Sequence, residues 1–175
     1  MFEYNKPTIL NTLWKRTLVY FLLFFIISAV QINFLDIIKI YNFLPDILII
    51  ITVWITLREG VYIGLLLAFF AGIIHDSIAL NPYGLTAFCY IVPSFVLKFF
   101  KSKDNYQKDL FTLRFLVFTF MSTVISTGIK VLLTMNIFTE EFEMYFLQQS
   151  LGVSLYSAIL SLFPILINYR QNRYY

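Results

Sequence analysis

Charge is scarce in this 175-residue chain: Asp, Glu, Lys and Arg together make up 13% of it, against about 25% in an ordinary soluble domain. That scarcity excludes intrinsic disorder, which needs a polar, charge-rich sequence. Histidine and cysteine are scarcer still. One Cys (Cys89) and one His (His75) exclude a disulfide framework and any zinc site built on several such ligands. A net charge of +3 is too small a surplus to point to nucleic acid. What is abundant is apolar surface: 59% of residues are hydrophobic, with 20 Phe and 12 Tyr, and the mean hydropathy is +0.78. A soluble domain of this size cannot hide that much in one core. The natural solvent of the chain is lipid, and the expectation is an all-α integral membrane protein, a single membrane-embedded domain over residues 1–175.

Six apolar runs approach the length a helix needs to cross ~30 Å of hydrocarbon. They cover about 17–38, 44–57, 61–80, 85–100, 113–135 and 145–168, the last interrupted by Pro164. The first run is read as a retained anchor rather than a cleaved signal, because it is long and Ile27-Ser28-Ala29 is a poor cleavage site. If all six cross, eleven of the 13 basic residues fall on one side: Lys6, Lys15, Arg16, Arg58, Lys98, Lys101, Lys103, Lys108, Arg114, Arg170 and Arg173. Only Lys39 lies on the other side, and Lys130 lies within the fifth run. The excess of Lys and Arg on cytoplasmic loops puts both termini inside. The opposite loops carry Asp36, Asp46, Glu140, Glu141 and Glu143.

The second run is short, since the apolar stretch Ile47 to Leu57 is only ~17 Å of helix. A re-entrant hairpin there would reverse every later span and place the Lys98–Arg114 cluster outside, against the charge rule. A short crossing helix is the better reading. Pro45 and Asp46 suit its start: Pro fits the first helical position and a carboxylate complements the N-terminal dipole.

The third run repeats small residues every four positions: Gly60, Gly64, Ala68 and Gly72, continued by Asp76. Such a stripe lets helices approach closely, either within the bundle or against a partner protein. Asp76 and Lys130 both lie ~22 Å deep from the cytoplasmic side. Isolated charges are costly there, so the two are expected to pair, with His75 nearby. The alternative is that Lys130 snorkels to the outer interface alone. Ser122 and Ser126 in the fifth run, and Ser150, Ser154, Ser157 and Ser161 in the sixth, form hydroxyl stripes. They serve close packing or line a polar cavity, and packing is favoured. His75 and Asp76 are helical neighbours ~100° apart, and neither a Ser-centred elbow nor a second His accompanies them. No catalytic, cofactor or metal site is assigned. The Lys98–Arg114 segment suits contact with anionic membrane lipid or with a cytoplasmic protein, and Ile9, Leu10, Leu13 and Trp14 could form the apolar face of an interfacial helix.

The order and spacing of PDILIIITVWITLREG (Pro45–Gly60), GLLLAFFAGIIHD (Gly64–Asp76) and NPYGLTA (Asn81–Ala87) resemble the rod shape-determining protein MreD family. The residues that carry the resemblance are Pro45, Asp46, Arg58, Gly60, Gly64, Gly72, Asp76, Pro82, Gly84 and Leu85. His75 and Lys130 stand outside the family pattern. The resemblance implies a non-enzymatic scaffold of the bacterial cell-elongation machinery in the inner membrane. Its partners would be an MreC-like bitopic protein, the MreB filament, RodA and a class B penicillin-binding transpeptidase. It also implies a six-helix fold similar to the S components of energy-coupling-factor vitamin transporters, which makes a transporter component the runner-up. A small membrane enzyme acting on lipid is a third reading, and only Asp76, His75 and Lys130 are on offer for it.

Overall fold

The computed structural model describes residues 6–34, 43–100, 113–134 and 142–163, with side chains of the first stretch described over 17–33. Several sequence-based expectations lie outside these residues: those on 35–38, Lys39, Lys101, Lys103, Lys108, Glu140, Glu141, the segment from Pro164 onward, and the side chains of Ile9, Leu10, Leu13 and Trp14.

Among the described residues the chain forms six helices and no strand. They are α1 (Lys6–Phe34), α2 (Ile47–Glu59), α3 (Val61–Ala79), α4 (Leu85–Phe100), α5 (Leu113–Thr134) and α6 (Phe142–Leu160). Two of them, α3 and α5, are plainly long and apolar enough to cross a membrane, each with a mean hydropathy of 1.8 over its best window. α1 has 29 residues, roughly 44 Å of helix. It runs unbroken from Lys6, so the proposed interfacial segment continues directly into the first apolar run.

α2 explains its own shortness. Its 13 residues are apolar nearly all round, and eight of them are buried. A helix of that kind belongs in an interior, and α2 touches each of the other five helices. Leu48, Ile49, Val53, Ile55 and Leu57 form the centre of the core with Phe24 of α1, Leu67 and Ala71 of α3, Tyr90 of α4 and Phe115 of α5. Around it, α3 packs on α1 and α4, α4 on α5, and α5 on α6.

The chain between α2 and α3 is one residue, Gly60, with φ at +106°, a value that side-chain-bearing residues rarely adopt. The two helices leave this corner almost in backbone contact. A Cβ at Gly64 would overlap the Thr56 side chain and backbone, its hydroxyl oxygen first, and that hydroxyl is held in place by donating to Thr52 O at 2.6 Å. Farther along, a Cβ at Gly72 would overlap the backbone of Thr86 and Ala87 in α4. Gly64, Ala68 and Gly72 are all buried inside the bundle. Of the two readings of the small-residue stripe, internal packing is the one this geometry matches. α4 carries Pro93 in its interior, which removes one backbone bond and which membrane helices tolerate when neighbours compensate.

Gly72→Val should be destabilising by about 1–3 kcal/mol through overpacking, whereas Leu66→Ala on the exposed face should change stability by less than about 0.5 kcal/mol. Thermal unfolding midpoints of the detergent-solubilised variants test this; equal midpoints would contradict the close α3–α4 approach.

Candidate functional site

The first polar node is built on Asp46, the residue before α2. Its backbone is extended (φ −95°, ψ 91°) and its carboxylate accepts from Ile49 N, as an N-cap does, at 3.2 Å. Tyr90 of α4 donates its hydroxyl to both carboxylate oxygens, at 2.9 and 3.0 Å. Gln31 of α1 donates to Oδ1 at 3.3 Å and accepts from Leu48 N at 3.1 Å. The Asp46 N–H donates to Ser157 Oγ of α6 at 2.9 Å. Two of the amide groups that a helix start leaves unpaired are thus satisfied, and four helices meet at one residue, three of them at its carboxylate. At the other end of α2, Glu59 accepts from Tyr20 of α1 at 2.8 Å. Arg58 lies 3.6 Å from Glu59 and 4.9 Å above the Trp54 ring.

The second node is Asp76, which is completely buried (0% exposed). It sits near the end of α3 but caps a different helix. Its carboxylate accepts from Gly84 N at 3.0 Å and from Thr86 N at 3.2 and 3.0 Å, closing the N-terminus of α4. Gly84 supports the turn with φ at +91°, and Leu80 ends α3 in the left-handed conformation. Asn81 N donates to the Asp76 carbonyl at 3.1 Å. Both motif aspartates therefore place negative charge against helix N-termini, where the dipole favours it.

The expected Asp76–Lys130 ion pair is not formed among the described residues. Equal depth is not equal azimuth. α3 and α5 lie on either side of α4, which packs against both, and the Asp76 oxygens are already taken by backbone amides. Lys130 instead borders a cavity of about 420 Å³, together with Asp46, His75, Thr86, Tyr90 and Ser126. The cavity lies at the end of the bundle where α1, α3 and α5 finish and α2, α4 and α6 begin, as Ile32, Ala79, Thr134, Pro45 and Tyr145 on its wall show. His75 is 6% exposed, and its Nδ1 has no hydrogen-bond partner; neither has the buried hydroxyl of Thr86.

The hydroxyl stripes divide between the two roles expected of them. Thr119 bridges to Ser161 across α5 and α6 at 3.1 Å, and Ser150 and Ser154 bond to carbonyls of their own helix. Only Ser126 of the stripe residues lines the cavity. Sequence reasoning missed Tyr90, Gln31 and Ser157 as partners of Asp46. The signal was available: a Tyr hydroxyl and a Gln amide inside apolar runs each require a partner. Among the described residues no group of three or more His, Cys, Asp or Glu could hold a metal.

Tyr90→Phe should cost about 1.5–3 kcal/mol, the range for a hydrogen bond to a charged group. Combined with Asp46→Asn it should be clearly non-additive. Asp76→Asn and Lys130→Met, by contrast, should add within about 0.5 kcal/mol, as independent sites do. Double-mutant cycles on unfolding midpoints measure both, and strong coupling in the second cycle would restore the ion pair.

The motif residues thus build one continuous device: Pro45 and Asp46 start α2, Arg58 and Gly60 end it, Gly64 and Gly72 seat α3, and Asp76 with Gly84 starts α4. Compared with known proteins, neither a curated protein nor a solved structure matches the chain. The family model for rod shape-determining protein MreD matches residues 12–172. With that match running over nearly all of its 175 residues, the chain belongs to the MreD family, whose members are membrane proteins that determine rod shape.

Proposed function

We propose that the protein is a non-enzymatic, six-span scaffold of the cell-elongation machinery in the bacterial inner membrane, with both termini in the cytoplasm. The observation that carries this reading is the family match over residues 12–172. The gathering of Lys and Arg on one set of connections supports the orientation. The use of the two motif carboxylates supports a scaffold: both are engaged in capping helices, an arrangement suited to holding a shape. In this reading the chain holds an MreC-like bitopic protein and supports peptidoglycan synthesis beside the MreB filament, RodA and a class B transpeptidase. Because Gly64 and Gly72 are covered by Thr56 and Ala87, the partner helix would meet another face of the bundle.

The cavity favours a second reading, a substrate-binding transport component with a fold like that of energy-coupling-factor S components. It has the size of a small-ligand pocket.

A tagged chain purified from its native membrane with mild detergent should bring down an MreC-like bitopic protein, identified by mass spectrometry. Capture of ATPase subunits with a tightly held vitamin, and no such bitopic protein, would reject the scaffold in favour of transport.

A further inference from the structure

The cavity wall carries one cation and two buried polar side chains without a partner, beside the amides and hydroxyls of Asn81, Gln149, Ser126 and Tyr145. Asp46, the one carboxylate on its wall, already accepts from Ile49 N, Tyr90 and Gln31. Three further groups on the wall can donate: the Lys130 ammonium, which has no ion-pair partner among the described residues, the His75 imidazole through Nδ1, and the Thr86 hydroxyl. They come from three helices, α5, α3 and α4. Two of them belong to side chains more than nine-tenths buried, His75 at 6% exposed and Thr86 at 1%. Leaving such groups unsatisfied is costly, and apolar packing alone does not account for three of them on one cavity.

We propose that this cavity binds a phosphate-type anion, with Lys130, His75 and Thr86 as its donors. A tetrahedral group with several acceptor oxygens answers donors converging from three helices, and lysine serves such groups as a point charge. A lone carboxylate offers fewer oxygens. The group could arrive on two carriers, the headgroup of an anionic phospholipid or a soluble phosphate, since the cavity lies at an end of the bundle, where headgroups and water meet. This site does not depend on the scaffold reading; a shape protein and a transport component could equally carry it.

The full-length protein in nanodiscs provides the test. Discs of phosphatidylcholine alone and discs containing phosphatidylglycerol are compared by native mass spectrometry for retained lipid. Inorganic phosphate is titrated into the phosphatidylcholine discs, with binding read by phosphorus NMR. Retention of phosphatidylglycerol over phosphatidylcholine supports the site and assigns it to headgroups; binding of inorganic phosphate supports it and assigns it to a soluble ligand. Lys130→Gln and His75→Phe should each weaken the preferred probe about tenfold or more, the equivalent of one charge-assisted hydrogen bond. Lys130→Arg should retain binding. Thr86→Val gives a third, milder variant in case either of the others fails to fold, which a thermal melt reports. Binding of both probes no better than phosphatidylcholine, or folded variants that bind as wild type does, would overturn the proposal. So would a neutral molecule co-purifying in the cavity.

Discussion

The N-terminus of a 13-residue helix surrounded by five others has amide groups that must find acceptors inside the protein. Asp46 supplies that acceptor, and the rest of the arrangement follows from it. A carboxylate in such a place needs donors of its own, and it gathers them from Tyr90, Gln31 and the start of α2. Each donor fixes a neighbouring helix. The backbone amide of the same residue then reaches Ser157 and fixes a fourth. Polar contacts of this sort add register to a bundle whose apolar surfaces alone would let helices slide and rotate, since lipid gives helices little hydrophobic reason to choose one another.

Asp76 repeats the solution with a difference: it lies near the end of one helix and closes the start of the next. The end of α3 and the start of α4 are therefore solved together, and Gly72 allows the two backbones to approach closely. Carboxylate, glycine and tight turn depend on one another. Losing any of them would leave unpaired amides or carboxylate oxygens in a place where each costs several kcal/mol.

Much of this was legible in the sequence where local chemistry decides. Pro45-Asp46 reads as a helix start, and Asp46 is the cap; Pro45 stands before it and not at the first helical position, which is Ile47. Four-residue spacing of Gly64, Ala68 and Gly72 reads as close packing, and all three are buried. What was not legible depends on azimuth. Asp76 and Lys130 share a depth, which counting residues reveals, but counting does not reveal that α4 packs between their helices. The shortness of α2 was legible; that it is also the core element on which every other helix packs needs the neighbours. The cavity was one of two meanings left open for the serine stripes. Its wall draws on both halves of the chain, and no periodicity within one helix announces it.

Gly60 joins α2 to α3 without slack, and α4 begins at Leu85, after a turn over residues 80–84. With Thr56 against Gly64 and Ala87 against Gly72, these three helices form a block whose members cannot rotate independently. α1 and the α5–α6 pair are tied to the block by longer stretches of chain, 12 residues in each case (35–46 and 101–112). Movement within the bundle would accordingly concentrate at the seams between the block and these outer helices. The cavity sits on such a seam, with His75 and Thr86 on one bank and Lys130 on the other. A group held there would touch the block and α5 together, so the cavity is the place where one small molecule meets both bodies.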